Sequence, residues 1–200
     1  MAKCASCGEK KGSRLCPKLS ASICSLCCGT KREKEILCDE VCEYLKTGTA
    51  YRLGREIEKK IISDLQAEPS DVLEMDEVAA FVMAVERFFV DRFYDDKEVS
   101  DHHIYGALTK IYTLQKGIIP GWDGENKFEE SIFKKFIELT KRFSNLSQEL
   151  KARAILRIIK SIRSSSGDTL GNRNYLEMIY SQHTGKGKWA VLFQKLESTG

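Results

Sequence analysis

Eight cysteines, Cys4, Cys7, Cys16, Cys24, Cys27, Cys28, Cys38 and Cys42, all lie within the first 42 residues of this 200-residue chain. Thiols at that density can ligate metal, cycle between thiol and disulfide, or simply be buried as small apolar groups. Spacing favours the first. Cys4/Cys7 and Cys24/Cys27 are C-x2-C pairs, at which a tight turn aims two sulfurs at one tetrahedral ion about 2.3 Å away. Gly8 and Gly29 suit the backbone excursions such turns need. Cys38 and Cys42, four residues apart, are expected on one face of a helix. Asp39 and Glu40 would sit in its first turn, Tyr44 and Leu45 would point inward, Lys46 would sit in its last turn, and Gly48 would end it. Cys16, before Pro17, must find partners elsewhere in the sequence.

Eight thiols at these spacings suit two four-sulfur sites. Adjacent side chains of an extended segment point to opposite sides, so Cys27 and Cys28 are expected to serve different metals. The preferred grouping is Cys4, Cys7, Cys24 and Cys27 at one site and Cys16, Cys28, Cys38 and Cys42 at the other, with exchange of Cys27 and Cys28 as the alternative. Zinc, two ions per chain, is the expected metal. The clustered C-x2-C-x2-C run of ferredoxins is missing, which argues against iron–sulfur. A thiol redox sensor needs one exposed pair rather than eight cysteines. Eight thiolates leave no ligand position open for water or substrate, so the sites are read as structural, supplying folding free energy to a segment with few apolar residues. Lys31 and Arg32 are read either as lowering nearby thiol pKa values or as a solvated loop.

The order Cys4-x2-Cys7, Cys16-Pro17, Cys24-Ser-Leu-x-Cys28, Cys38 resembles the HIT-type and MYND-type cross-brace zinc fingers over about the first 45 residues. The chain departs from the HIT pattern at Leu19, where a cysteine is expected, and near Arg32, where a histidine is expected. Cys27 and Cys42 are surplus to the pattern and available to replace them. The phrase CCGTKR followed by an acidic, cysteine-containing helix also resembles the start of uncharacterised bacterial proteins with a cysteine cluster and a helical remainder. The finger resemblance implies a metal-stabilised module that docks other proteins.

The elements that must carry these cysteines divide the chain in two. Residues 1–48 form the cysteine-rich zinc-binding module and 49–200 an all-helical domain, giving a mainly α fold. The 42% hydrophobic content supports a core. The N-terminus lacks an apolar signal-like region and the most apolar stretch, 78–90, is interrupted by Glu86 and Arg87, so the expectation is a cytoplasmic protein without a membrane partner. Apolar residues recurring at three and four predict helices over 51–66, 71–94 (opened by a capping box at Asp71 and Glu74), 101–116, 127–143, 148–163, 174–182 and 188–196. The helix over 71–94 is expected at the centre of the core. GIIPGWDG (117–124) is read as a loop with Trp122 as its anchor, and SSSGDTLGN (164–172) as a flexible link.

Charge is unevenly spread: residues 51–130 carry a net −8 and 131–200 a net +8. Arg153, Arg157 and Lys160 are expected opposite the apolar face of their helix, with Lys141 and Arg142 extending a basic surface that could meet nucleic acid or an acidic partner, a second copy included. His102 and His103 are read as surface or capping residues and His183 as a loop residue. No P-loop, Gly-x-Ser-x-Gly elbow or His-Glu-x-x-His motif is present. The reading is a non-enzymatic interaction or regulatory protein, with nucleic-acid binding and thiol redox sensing as alternatives.

Overall fold

The computed structural model describes residues 2–38, 41–67, 72–119, 127–167 and 170–191. The chain forms two compact units, Met1–Lys60 and Ile61–Gly200. The cysteines end at 42, whereas the two units divide later, within a helix.

In the first unit, strands β1 (Arg14–Cys16) and β2 (Ala21–Ile23) pair antiparallel, with Arg14 opposite Ile23 and Cys16 opposite Ala21. The turn between them runs from Pro17 to Ser20, which adopts a φ of 49°. The N-terminal loop lies on this hairpin: the Ala5 N–H donates to the Ser22 carbonyl at 2.8 Å. Gly12 makes that approach possible, because a Cβ there would fall 2.6 Å from the Cβ of Ser22. Helix α1 (Ser25–Lys31) follows, and α2 (Glu43–Ala67) completes the described elements of the unit. The core contains Cys4, Cys16, Cys24 and Cys27 with only two isoleucines, Ile23 and Ile36, while Cys28 and Cys38 pack partly buried against it. Sulfur takes the place that aliphatic side chains occupy in a larger domain.

Two expectations are corrected. The helix expected from Cys38 begins at Glu43, so Cys38 and Cys42 precede it rather than sharing its face; Asp39 and Glu40 lie outside the described residues. Gly48 does not end a helix either. The helix continues through Gly48 and Gly54 to Ala67, absorbing the segment expected from Tyr51. Of the four-spaced Leu53, Ile57, Ile61 and Leu65, Ile61 is fully buried and Leu53 is exposed.

The second unit is helical. A 3-10 turn (Val72–Glu74) leads into α3 (Asp76–Phe93), followed by α4 (Asp101–Gln115), α5 (Lys127–Arg142), α6 (Gln148–Ser166) and α7 (Asn174–Thr184). The protein is thus mainly α. Asp71 of the expected capping box lies outside the described residues, and Met75 stands as N-cap of α3. Helix α3 joins α5 through aromatic contacts, with Phe81 edge-on to Phe136 and Phe143 at 6.2 and 5.5 Å, and Phe93 4.7 Å from Phe128. It shares the centre with α6, which packs against α3, α4, α7 and the 3-10 turn. Ser164 to Ser166, expected in a link, are the last turn of α6, and Asp168 and Thr169 lie outside the described residues. Trp122 and most of the expected loop around it lie outside them too, as do residues 192–196 of the helix expected over 188–196. Among the described residues no helix is long and apolar enough to cross a membrane.

Polar groups fix the joints between helices. Arg173 spans the α3–α4 connection, its Nη atoms donating to the carbonyls of Phe93, Tyr94, Asp96 and Val99. Asp101, fully buried at the start of α4, accepts from the Tyr175 and Leu176 N–H groups at 2.9 and 3.2 Å and from the Ser166 hydroxyl. It thereby caps α7 from another helix. Removing a carboxylate that satisfies two buried donors leaves both unpaired. Asp101→Ala is expected to lower stability by about 2–4 kcal/mol in urea unfolding, and Asp101→Asn, which keeps one acceptor, by less.

Candidate metal centre

The four sulfurs of Cys4, Cys7, Cys24 and Cys27 lie within 4.8 Å of one another, with Cys7 exposed and the other three buried. A tetrahedral ion with thiolates at about 2.3 Å needs sulfurs about 3.8 Å apart, so small side-chain rotations would close the set around one ion. Local backbone explains the convergence. Cys4 to Gly8 form a knuckle in which the Gly8 N–H donates to the Cys4 carbonyl at 2.8 Å and the Ser6 N–H points at Cys4 Sγ at 3.4 Å. Gly8 takes φ 70°, which a side chain would resist. Cys24 is the N-cap of α1 and its sulfur accepts the Cys27 N–H at 3.4 Å. The second C-x2-C pair is therefore a helix start, with both sulfurs on its first turn.

Electrostatics points the same way. Burial opposes ionisation of Cys4, but the backbone N–H groups of Cys24, Cys7 and Ser6 bring its pKa down to about 6. Cys7 is lowered by the backbone of Lys10 and Glu9. Cys27 is pushed up to about 12, first by Cys24, then by burial and Cys7. One thiolate forms readily and the last is opposed by its neighbours, because like charges gathered in one pocket cannot all ionise without a cation among them. The donor set fits a metal ion.

The remaining four cysteines meet elsewhere. Cys16, Cys28, Cys38 and Cys42 line one small cavity of about 10 Å³ together with Leu15, Ile23, Ile36 and Tyr44, a space on the order of one water or ion. Their sulfurs are less tightly gathered, for among the described residues the set within 4.8 Å is the first one. Cys27 belongs to the first sulfur cluster and Cys28 lines the second cavity. They lie in α1, not in the extended segment expected, and successive helical residues diverge by about 100°.

Two guanidinium groups reach the second cluster. Arg14 Nη1 lies 3.5 Å and Arg32 Nη2 3.6 Å from Cys28 Sγ. Burial opposes ionisation of Cys28, but these two arginines lower its pKa. Arg14 also stacks over the Tyr44 ring at 4.9 Å. Arg32 rests against Gly48, where a Cβ would fall 1.9 Å from its Nη1. A side chain at this position would displace the guanidinium, although glycine inside a helix costs about 1 kcal/mol relative to alanine.

The other sequence candidates are distributed differently. Lys141 and Arg142 are exposed in the last turn of α5, and Lys160 is exposed on α6. Arg153 and Arg157 are half-buried, because helices surround α6 on several sides; Arg157 donates to the Ser161 hydroxyl within the same helix. His102 and His103 are exposed, and the Ser100 N–H donates to His103 Nδ1 at 3.1 Å, capping α4. His183 is not in a loop. It belongs to the last turn of α7 and its buried ring lies 3.7 Å from Glu86 Oε2.

Sequence reasoning missed the polar group around Glu86. This carboxylate, buried on α3, accepts from Tyr175 Oη at 2.9 Å and borders a cavity of about 310 Å³ shared with Arg157, Ser161, Met83, Met178 and Gln182. The available signal was Glu86 on the apolar side of a helix whose middle turns it and Arg87 alone interrupt.

Fold and site together define a mainly α protein whose N-terminal unit gathers four cysteines suited to one metal ion. No protein-family model, curated protein or solved structure matches the chain.

Burial, then the Glu86 carboxylate, raises the Tyr175 pKa well above its ordinary value and keeps the phenol a donor. Tyr175→Phe is expected to cost about 1.5–3 kcal/mol, since it strips a hydrogen bond from a buried carboxylate. The folded state holds this proton more tightly than the unfolded state. The difference between wild type and variant should therefore be full below about pH 10 and shrink as pH rises beyond it, in denaturant titrations at a series of pH values.

Proposed function

We propose that residues 1–48 form a two-zinc, cross-braced module, with one ion on Cys4, Cys7, Cys24 and Cys27 and the other on Cys16, Cys28, Cys38 and Cys42. The observation that carries this reading is the convergence of four sulfurs at the first set, supported by the single cavity that the second set lines. All eight cysteines are free thiols, in keeping with metal in a reducing, cytoplasmic setting. Four thiolates close a tetrahedral ion's coordination, so the metal would serve the fold and not a reaction. It would replace the missing aliphatic core, since a unit with Ile23 and Ile36 as its buried aliphatic side chains gains little from apolar burial.

The role proposed for this module is non-enzymatic docking of another protein, a second copy of the chain included. Leu15, Leu26, Leu37 and Val41 are exposed on the small unit, at 69, 54, 71 and 71%. So many large apolar groups on so small a surface, held by a rigid metal-braced loop framework, suit protein contact better than solvent. Nucleic-acid binding through the exposed Lys141, Arg142 and Lys160 is the competing reading.

Zinc analysis of purified protein should find two ions per chain. Cys27→Ser and Cys28→Ser should each remove one ion and the double substitution both, whereas a double variant that keeps one ion would show one shared site. Leu26→Asp with Leu37→Asp should abolish capture of the partner, or self-association, without altering zinc content. Binding to oligonucleotides that weakens steeply with salt and disappears in Lys141→Ala, Arg142→Ala, Lys160→Ala would decide for the competing reading.

A further inference from the structure

We infer that Arg32, seated against the bare backbone of Gly48, and Arg14 hold Cys28 as a ligand of the second zinc site and offset the charge of that site. The inference rests on the second-site reading above and concerns the residues just outside its ligands.

Three observations converge on it. Both guanidinium groups approach the same sulfur, at 3.5 and 3.6 Å, from separate elements: Arg14 from β1 and Arg32 from the residue that ends α1. Each is fixed independently of that sulfur, Arg14 over the Tyr44 ring and Arg32 on α2 at Gly48. Arg32 Nε is buried without a hydrogen-bond partner, so the side chain occupies this place at a polar cost. Four thiolates and one Zn2+ carry a net charge of −2, which two guanidinium groups balance. The rigid fork of arginine sets one Nη against the glycine and directs the other at sulfur, which a lysine ammonium cannot reproduce. Groups that orient metal ligands in this way typically contribute 10- to 100-fold to affinity when removed.

Gly48 supplies a selective test. Alanine there favours the helix, and its Cβ would collide with the far end of a flexible side chain, so the substitution evicts the Arg32 guanidinium while keeping every charge and every cysteine. Zinc-loaded wild type, Arg32→Met, Arg32→Lys, Arg14→Met and Gly48→Ala would be titrated with a chromogenic chelator, with Co2+ substitution reporting tetrathiolate ligation by its charge-transfer absorption. In wild type two zinc ions are expected. In Arg32→Met and Gly48→Ala one of them should be released about 10- to 100-fold more readily while the other is unchanged, and Arg32→Lys should not restore it. Cys7→Ser serves as the control that loosens the first site. If wild type holds two ions and Gly48→Ala and Arg14→Met hold both as tightly, the arginine role is wrong and the second site stands. If wild type holds one ion, the second-site reading fails and the inference with it. Loss of both ions in Arg32→Met would mark collapse of the unit, and Gly48→Ala and Arg14→Met would then decide.

Discussion

Four sulfurs brought within 4.8 Å of one another, three of them buried, set the central constraint on the N-terminal unit. Packed as thiols they are small and weakly interacting; ionised together they repel. The opposite displacements of Cys4, down to about 6, and Cys27, up to about 12, express that conflict within one cluster. A metal cation held among them would resolve it, turning mutual repulsion into shared attraction. The rest of the unit is arranged around this point. The Cys4–Gly8 knuckle and the start of α1 each deliver two sulfurs to it, and the hairpin on which the knuckle lies leads directly into Cys24.

Helix α1 links this cluster to the next. Its first turns carry Cys27 to the sulfur cluster and Cys28 to the second cavity, and the residue closing it, Arg32, returns toward Cys28 while resting on α2. A seven-residue helix thus ties both cysteine sets and the following helix into one piece. That economy suits a segment whose buried aliphatic side chains are Ile23 and Ile36.

The helical unit is stabilised on different terms. Its core is aliphatic and aromatic, dense around α3 and α6, and its polar residues work at joints: Asp101 caps α7, Arg173 gathers the carbonyls of the α3–α4 connection, and Glu86 meets Tyr175 and His183. Each spans a long separation in sequence. Glu86 and Tyr175 are 89 residues apart, beyond anything local periodicity can register.

Sequence alone determined what depends on near neighbours. The C-x2-C spacings put Cys4 with Cys7 and favoured Cys24 with Cys27 while leaving Cys28 as the alternative, and apolar periodicity marked the helices of the second unit to within a few residues at most ends; the grouping of Cys27 with the first set came from the tertiary structure. Tertiary structure decided what depends on distant contacts. Gly48 reads locally as a helix stop, but α2 runs through it and the Arg32 guanidinium lies against it. Arg153 and Arg157 read as one side of a basic face, but neighbouring helices on several sides leave them half-buried. His183 reads as a loop residue, and its place against Glu86 follows from how α7 packs on α3. In each case the deciding neighbours lie on other elements, brought near by the fold and beyond the reach of local sequence preference.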